Sequence, residues 1–584
     1  MDKSIMDNGQ NLISAATQRN WGKLGTEGSG KLKSRANKTR SEKTVVPDNY
    51  ICRDGLDAVV AQMVSAAASD AEFFYSLCLQ KLSRFESCEN VRRFVSEYGG
   101  RGRVDVVVPE SLLSDTGCDW LGYLYQLRVP EGQRNLRGQY YTSSKIVDNM
   151  LSRVTLGKDK SFCDPCCGTG AFLMNVRADS LSQLYGADID DVAVMIAKAN
   201  LIALYPDDAT YPQIYCEDYL EDSLFSTGQL SGKHFDYIYT NPPWGVCKTY
   251  SYSSDVILSG ERSSLFFVKA FGQLRAGGSL NFLLPSSLLK IKTHSDFRSF
   301  VLRKTKMEEI TLFKERFNGV FTDFFSLSVI KHEPVEQQQT YRVISEDRTF
   351  FVNKPVTKED TEIRLNDSEE QQILDIIEAR GYDTLSNSIW ALGIVTGDNK
   401  NKLKKEKEPG TEAIYTGKEI GHYLLGEPKN FIHYDRNQLQ QCAKDEYYRC
   451  EEKLVYKFIS KNLCFAYDDG SNLFLNSANI LIPRVLGMCT KTVLAFLNSE
   501  LFSYYYAKKF TDIKVLKGNL MALPFPKIAE QQNAEIIGMV DRVLKGDTLF
   551  IDKINDYVYT LYGLSSFMIN RIKQELYGNT DFSA

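Results

Sequence analysis

The residues of this sequence with the most distinctive chemistry are Asn241, Pro242, Pro243 and Trp244, which stand next to one another. An amino group on an aromatic ring is a poor nucleophile because its lone pair is delocalised into the ring. The Asn241 side-chain oxygen and the Pro242 carbonyl could each accept one of its hydrogens and localise that lone pair, while Trp244 stacks on the ring. The tetrapeptide therefore predicts a site that activates a ring-bound amine; the alternative is a proline-rich turn with a packing tryptophan.

A glycine-rich turn, DPCCGTG at residues 164–170, supplies a second signal. Gly168 and Gly170 permit a tight strand-to-helix turn and let a ligand approach the backbone, beside Asp164 and Cys166. A turn of this kind is a weak indication alone, because ordinary strand-to-helix loops also use glycine. The cysteine spacing suggests a metal ligand set, but the sequence has no second Cys/His cluster nearby, so we predict no metal.

Two acidic residues further along the chain strengthen the prediction of a nucleoside site. Asp188, followed by Ile189, ends the next strand-like run and could accept both hydroxyls of a ribose. The alternative is that Asp188 caps the helix that starts near residue 191. Asp218, followed by Tyr219, could accept a hydrogen bond from an adenine amino group. The combination favours a nucleoside-binding domain without identifying the nucleoside.

The elements that must position these residues alternate between strands and helices over residues 139–332. Apolar strand-like runs (SFCDP, LYGADI, FDYIYT, GSLNFLLP and FSLSVIKH) are separated by helical stretches such as VAVMIAKANLIAL. This alternation predicts an α/β fold, a doubly wound Rossmann-like sheet. Because ligands bind such sheets at the carboxyl ends of the strands, we expect the motifs to meet at one edge.

The composition excludes several classes of protein. Hydrophobic residues make up 43% of the 584 residues and charged residues 25%, which is ordinary for a folded soluble protein. No apolar run is long enough for a membrane span, and the N-terminal residues carry no secretory signal. The 13 cysteines then predict reduced thiols and a cytoplasmic location. The net charge of −4 neither supports nor excludes binding to nucleic acid.

In their order along the chain, these motifs resemble the gamma class of amino-methyltransferases that modify adenine N6 in DNA, the TaqI type. The residues 138–142 (GQYYT), the DPCCGTG turn, GADID, EDYL and NPPW follow one another as in that class. The resemblance implies S-adenosyl-L-methionine as cofactor, contacted by Tyr141 and Thr142 in addition to the residues above. It also implies an aromatic side chain against an extruded base, for which we choose Phe321, with Phe317 and Phe324 as alternatives.

The resemblance further implies double-stranded DNA as the partner, with the adenine flipped out of the helix. The enzyme would be the modification component of a restriction-modification system. We find no nuclease-like cluster in residues 1–138, so we expect any cognate restriction endonuclease in a separate chain, and we expect a monomer.

The predicted domains follow from changes in pattern along the chain. Residues 386–530 resemble the target-recognition region of the same class, a mixed α+β domain. Its lysines could contact phosphates, although solvated loops explain any single one equally well. The predicted order is an N-terminal helical region with a flexible basic arm (1–118), the catalytic domain (119–345), a linker (346–385), the target-recognition domain (386–530) and a helical tail (531–584).

Other functions remain open from the sequence alone. A related enzyme could act on RNA, on a protein glutamine or on the N4 amino group of cytosine, since Asn-Pro-Pro-aromatic can serve any of these acceptors. The large C-terminal region argues against the protein-modifying kind. A non-catalytic DNA-binding subunit is a further alternative, and the intact motifs argue against it.

Overall fold

The computed structural model describes residues 26–28, 55–65, 69–128, 142–221, 224, 228–246, 256–314, 323–332, 338–357, 359–460, 462–470, 472–510 and 514–578. The chain divides into two compact units. The first, Ala36–Leu365, is called the sheet unit below, and the second, Met1–Arg35 with Asn366–Ala584, is called the C-terminal unit.

Strand β1 (Thr26–Gly28) belongs to the C-terminal unit, and the next nine strands form the sheet of the sheet unit. These are β2 (Phe162–Asp164), β3 (Leu184–Asp188), β4 (Gln213–Cys216), β5 (Phe235–Thr240), β6 (Leu274–Pro285), β7 (Lys306–Phe313), β8 (Phe324–Ile330), β9 (Gln338–Ile344) and β10 (Thr349–Pro355). Their order is β10-β9-β7-β8-β6-β5-β2-β3-β4. Strands β2 to β6 pair in parallel, whereas β8 runs antiparallel between β6 and β7.

Both faces of this sheet are covered, as its apolar strands require. On β6, Phe282 and Leu284 enter one hydrophobic cluster while Leu283 between them enters another. Successive side chains of a strand point to opposite faces, so the two clusters lie on the two sides of the sheet. The predicted doubly wound α/β fold is confirmed.

Eleven α-helices are described in the sheet unit. They are α1 (Leu56–Ser65), α2 (Asp70–Leu82), α3 (Glu89–Tyr98), α4 (Glu110–Leu113), α5 (Trp120–Arg128), α6 (Ser144–Leu151), α7 (Ala171–Asn175), α8 (Asp191–Leu204), α9 (Arg262–Gly272), α10 (Ser287–Lys290) and α11 (Ser295–Lys304). Helix α8 is buried on nearly every side. Val194, Ala197 and Leu201 join a cluster with strand residues, whereas Met195 and Ile196 join the cluster of helices α1 to α5. Helix α8 therefore lies between the N-terminal helices and the sheet within this unit.

Two strands beyond the predicted catalytic motifs extend the sheet. Strands β9 and β10 form an antiparallel hairpin, and β9 also pairs in parallel with β7. In β9 the side chains of Gln339, Tyr341 and Val343 alternate with more exposed ones, so one face of the hairpin is buried. Residues 346–385, where the sequence predicts a linker, thus contain β10 and, in the C-terminal unit, a helix from Ser368.

The C-terminal unit contains both helices and short strands, which agrees with the mixed α+β domain predicted for this region. Its strands are β11 (Gly381–Asp383), β12 (Ile389–Leu392), β13 (Leu403–Lys404), β14 (Glu412–Tyr415), β15 (Phe431–Ile432), β16 (Gln441–Ala443), β17 (Lys453–Lys457), β18 (Phe465–Asp468), β19 (Leu473–Phe474), β20 (Ala478–Ile482) and β21 (Phe525–Pro526). Its helices are α12 (Ser368–Ala379), α13 (Asn399–Lys402), α14 (Asp445–Tyr448), α15 (Thr490–Asn498), α16 (Glu500–Lys509), α17 (Lys517–Leu520), α18 (Glu530–Leu544), α19 (Leu549–Tyr562) and α20 (Ser566–Tyr577).

The strands of the C-terminal unit form two four-stranded sheets, β12-β20-β17-β18 and β13-β15-β14-β19, and two strand pairs, β1-β16 and β11-β21. The helical tail packs onto this unit, since Ile536, Val558 and Ile572 share one hydrophobic cluster with Leu454 and Phe465. Within the described part of the chain, no helix is both long and apolar enough to cross a membrane.

Candidate functional site

The glycine-rich turn connects β2 to α7 and lies against the end of β3. Its backbone needs two glycines, because φ is +51° at Gly168 and +98° at Gly170. The N–H of Cys167 donates to the Ala187 carbonyl at 2.9 Å, which joins the turn to β3. A Cβ added at Gly168 would meet no atom of the described residues within 4 Å, so these residues leave the backbone of the turn uncovered.

Asp188 ends β3 and holds this turn through its carboxylate. One carboxylate oxygen accepts from the Gly168 N–H at 2.9 Å and the other accepts from the Asp190 N–H at 3.0 Å. The side chain that caps α8 is Asp190, which accepts from the N–H groups of Val192 and Ala193. Capping therefore does not account for Asp188. Burial raises the pKa of the Asp188 carboxyl to about 6.

The other predicted cofactor residues around Asp188 differ in exposure. Ile189 is 57% exposed, a large apolar side chain presented at the carboxyl edge of the sheet. Asp218 is half-buried and accepts from the Leu220 N–H at 2.9 Å. Tyr219 is buried, with its ring stacked on Phe266, so its side chain belongs to the hydrophobic core.

The glycine turn and the Asn-Pro-Pro-Trp loop meet through one hydrogen bond. Strands β2 and β5 are parallel neighbours, so Asp164 and Thr240 end at the same edge of the sheet. The Thr240 hydroxyl donates to Asp164 at 2.6 Å, and Asn241 follows directly. Burial raises the pKa of Asp164 to about 7. The motifs, 71 residues apart along the chain (241 minus 170), are therefore adjacent in space.

Thr142, a residue predicted on the cofactor side, contacts the Asn241 amide. It is buried, and its hydroxyl oxygen accepts from Asn241 Nδ2 at 3.1 Å. This contact fixes the orientation of the amide, with Nδ2 towards Thr142 and Oδ1 at the other end. Two predicted site residues are thus brought together by the fold.

Trp244 is 8% exposed, which is lower than a free stacking surface requires. Its indole N–H donates to the Leu283 carbonyl at 3.1 Å, and its ring lies 6.0 Å from the ring of Phe324. Phe324 is itself buried against Phe313, so it does not provide a free stacking surface. Trp244 therefore anchors the loop to β6 and β8.

Two residues that the sequence analysis missed clamp the other end of the loop. The Glu261 carboxylate accepts from the Gly245 N–H at 2.7 Å. Arg262 donates to the Trp244 carbonyl at 2.8 Å, and its own N–H donates to the Gly245 carbonyl at 3.0 Å. The short bridge between Val246 and Glu261 completes the clamp. No local signal marks Glu261 or Arg262, because their partners lie 16 to 18 residues earlier in the chain.

Of the three cysteines of the turn region, Cys163 and Cys167 are buried in the hydrophobic core and Cys166 is partly buried. Burial raises the pKa of Cys163, Cys166 and Cys167 well above that of an ordinary thiol. The neutral thiol is neither a good nucleophile nor a good metal ligand. Cys166 remains a predicted cofactor contact through its place in the turn. Tyr141, Phe321 and Phe317 lie outside the described residues, so their predicted roles are untested.

Comparison with known protein families identifies the family of this chain. A family model described as N-6 DNA methylase matches residues 100–391, half of the 584 residues. The chain belongs to the N-6 DNA methylase family. A second model, described as the TaqI-like C-terminal specificity domain, matches residues 412–525. The expected DNA methyltransferase of the TaqI-like type, with a specificity region for DNA after the catalytic fold, is confirmed.

Two curated relatives show how far the similarity to N-6 DNA methylases extends. The type II methyltransferase M.VspI of Vibrio sp. (strain 343) is 30% identical over 315 residues, which cover 51% of this chain and 74% of the relative. The type II methyltransferase M.HincII of Haemophilus influenzae is 25% identical over 248 residues, which cover 40% of this chain but 44% of the relative.

A solved structure supports the same fold over most of this N-6 DNA methylase. The structure of MmeI, a type IIL restriction-modification enzyme in complex with DNA, matches 88% of this chain and 97% of that chain with a TM-score of 0.57. The sequence identity is 12%, so this similarity concerns the fold alone.

The lysines predicted to contact phosphates in the specificity region differ in their exposure and in their ion pairs. The Lys508 ammonium forms ion pairs with Glu370 (2.8 Å) and Glu575 (2.7 Å), and its side chain is 9% exposed. Lys509 pairs with Glu378 at 2.7 Å. These ion pairs hold α16 against α12 and α20, so Lys508 and Lys509 already have acidic partners within the protein. Among the lysines of the two basic runs, Lys400, Lys405, Lys407 and Lys514 are exposed, and a phosphate contact by them stays a prediction.

Proposed function

We propose that this N-6 DNA methylase transfers a methyl group from S-adenosyl-L-methionine to the N6 amino group of an adenine flipped out of double-stranded DNA. The observation that carries the proposal is the hydrogen bond of Thr240 to Asp164. It brings the base-activating loop within one residue of the turn where the cofactor would lie. A methyl donor on that turn and an amine at Asn241 would be neighbours.

The residues at the edge of the sheet fit S-adenosyl-L-methionine. The described residues leave the backbone of the turn at Gly168 uncovered, and the Gly168 N–H is held in place by Asp188. Each carboxylate oxygen of Asp188 accepts one backbone N–H and keeps a further lone pair for a ribose hydroxyl. Ile189 offers an exposed apolar surface to the adenine ring, and Asp218 an acceptor for its amino group. When bound, the cofactor supplies an electrophilic methyl group on a sulfonium.

The chemistry asked of the chain is to make the adenine nitrogen nucleophilic. Asn241 Oδ1 and the Pro242 carbonyl accept the two N6 hydrogens, which draws the lone pair out of the ring and towards the methyl group. Thr142 keeps the amide oriented for this, and Pro243 stiffens the loop. As the N–C bond formed, the bond between the methyl carbon and sulfur would break and leave a neutral thioether. The nitrogen would take up the positive charge and then lose one proton to solvent. Trp244 and Phe321 are proposed to hold the base, and Trp244 would do so with the small part of its surface, 8%, that is exposed.

The biological setting follows from the relatives. M.VspI and M.HincII are named type II methyltransferases, so we propose that this chain is the modification component of a restriction-modification system. It would act as a cytoplasmic monomer on double-stranded DNA, with the cognate restriction endonuclease in a separate chain.

The proposal is tested by Asn241→Ala, because removing the amide should abolish transfer but leave cofactor binding intact. Asn175→Ala is the matched control, since that amide donates to Ala171 within its own helix at 2.8 Å. Genomic DNA from cells expressing each protein would be hydrolysed and its methylated nucleosides measured by mass spectrometry. Calorimetry with S-adenosyl-L-methionine follows binding.

We expect N6-methyladenine with the wild type and with Asn175→Ala, and none with Asn241→Ala, although all three bind the cofactor. Normal methylation by Asn241→Ala would refute the assigned mechanism. N4-methylcytosine instead of N6-methyladenine in the wild-type DNA would refute the assigned base while retaining the site.

A further inference from the structure

Four polar residues are buried together behind the glycine turn. Thr169 stands between Gly168 and Gly170, Asn200 lies in α8, Lys81 in α2, and Asp119 immediately precedes α5. Their exposed fractions are 4%, 0%, 1% and 8%. We call these residues the buried polar cluster. The cluster joins the turn to the N-terminal helices, a region for which the sequence gives no function.

The hydrogen bonds of the cluster converge on Asp119. One carboxylate oxygen accepts from the Thr169 hydroxyl at 2.5 Å, and the other accepts from Asn200 Nδ2 at 2.7 Å and from the Gly122 N–H at 2.8 Å. Asn200 Nδ2 also donates to the Thr169 carbonyl at 3.0 Å, so both the side chain and the backbone of Thr169 are held. Helix α5 approaches closely here, because a side chain at Gly122 would collide with Asp119 and Thr169.

Lys81 completes the cluster from the far side. Its ammonium donates to Asn200 Oδ1 at 2.8 Å and to the Cys118 carbonyl at 3.1 Å. This bond orients the Asn200 amide so that Nδ2 faces Asp119 and Thr169. Burial lowers the pKa of Lys81 and raises that of Asp119, so the cluster exists at a cost in desolvation. Polar groups kept buried at such a cost specify one arrangement of the elements they join.

The same N-terminal helices also hold the other side of the proposed cofactor site. The hydroxyl of Tyr125 in α5 donates to Asp190 at 2.6 Å, directly after Ile189. Arg101 pairs with Asp191 at the first residue of α8. The backbone on both sides of the site is therefore tied to α2–α5.

We propose that the buried polar cluster is a positioning device for the cofactor turn, with Thr169 and Asp119 as positioning residues whose loss weakens the binding of S-adenosyl-L-methionine. This inference rests on the proposed function, because it presumes that the cofactor binds at Gly168 and Gly170. The physical reason is that two glycines flank Thr169, so the local sequence restrains the turn only weakly. The hydrogen bonds of Thr169 to Asp119 and Asn200 in the buried polar cluster therefore fix the shape of the turn.

The test compares Thr169→Val, which removes the hydroxyl at nearly constant volume, with Thr169→Ser, which keeps it. Lys81→Met removes the far end of the cluster without touching the turn. Its matched control is Lys453→Met in the C-terminal unit, another fully buried lysine, paired with Asp468 at 2.7 Å. Calorimetry gives the dissociation constant of S-adenosyl-L-methionine, steady-state kinetics give KM and kcat, and thermal unfolding reports stability.

We expect Thr169→Val to raise the dissociation constant and KM for S-adenosyl-L-methionine by about tenfold, with kcat at saturating cofactor largely retained. Thr169→Ser should restore wild-type binding. Lys81→Met should weaken binding in the same direction, whereas Lys453→Met should lose stability with unchanged cofactor affinity.

A folded Thr169→Val protein with wild-type affinity would overturn the inference, as would equal losses of affinity in Lys81→Met and Lys453→Met. If Thr169→Val does not fold, the comparison of the two lysine variants decides. Failure of the proposed function is a distinct result, because the wild-type protein itself would then not bind S-adenosyl-L-methionine.

Discussion

The replacement of Asp188 by alanine removes the carboxylate that joins the glycine turn to the end of β3. Within the protein it accepts from the N–H groups of Gly168 and Asp190, at 2.9 and 3.0 Å. In the proposed complex it also accepts from two ribose hydroxyls. The variant therefore loses two bonds within the protein and two to the cofactor, and only the second pair enters the binding constant directly.

The magnitude follows from the charge of the acceptor. A hydrogen bond to a charged group contributes about 1.5–3 kcal/mol. The loss of both ribose contacts should thus cost about 3–6 kcal/mol of binding free energy, which corresponds to a rise of roughly 10²- to 10⁴-fold in the dissociation constant. Asp188→Asn keeps one oxygen acceptor and should lose about half of this free energy.

The chain contains a matched control in Asp208, another carboxylate that bridges two backbone N–H groups. It accepts from Leu181 at 2.9 Å and from Thr210 at 2.7 Å. Leu181 precedes the start of β3, whereas Asp188 ends it, so the two sites are separated by the strand, about 17 Å for five residues. Asp208→Ala should therefore lower thermal stability without weakening the cofactor.

The assay is calorimetric titration of each variant with S-adenosyl-L-methionine, after unfolding curves have shown that the protein is folded. The reasoning fails if Asp188→Ala binds as tightly as the wild type, or if Asp208→Ala and Asp188→Ala weaken binding equally. In the second case the effect would reflect general loss of structure and not a contact with the ribose.

Two further changes test the same edge of the sheet. Because burial raises the pKa of Asp188 to about 6 and only the ionised carboxylate accepts both hydroxyls, the dissociation constant should rise about tenfold per pH unit below pH 6. It should be level above about pH 7, and a flat titration of the wild type in calorimetry would contradict this. The same raised pKa makes the contribution of Asp188 to the stability of the free protein fall as pH rises from about 4 to about 6. Glu261→Gln keeps the side-chain length but replaces a charged acceptor for the Gly245 N–H by a neutral one. We expect a lower kcat, by about three- to tenfold, with unchanged cofactor affinity; an unchanged kcat would show that the loop needs no clamp.

The predicted strands agree with the structure where the signal is local. The run FDYIYT is β5, GSLNFLLP lies within β6, and the helix from VAVMIAKANLIAL is α8 with one added residue. In each case apolar side chains recur with the period of the element, and prolines or glycines mark its end. The hairpin of β9 and β10 lacked such a signal, because its strands alternate polar residues with few apolar ones.

The sequence by itself determined the local chemistry of this methylase. Two glycines allow a turn with positive φ, an acid ends the following strand, and two prolines stiffen the loop after Asn241, all within short stretches of chain. The order of the motifs along the chain indicated the family as well, because this order can be read without knowing how far apart the residues lie in space.

Only the tertiary structure decided which side chains act on which. It showed that Asp190 caps α8, whereas Asp188 accepts hydrogen bonds from the glycine turn. It also showed that Lys508 forms ion pairs with Glu370 and Glu575, and that Asp119 accepts a hydrogen bond from Thr169. Asp119 and Thr169 are 50 residues apart, and Lys81 and Asn200 are 119 apart. Contacts between residues so far apart in sequence depend on how α2, α5 and α8 pack. Because this packing is set by the whole hydrophobic core, the sequence around each of these residues carries no pattern that predicts its partner.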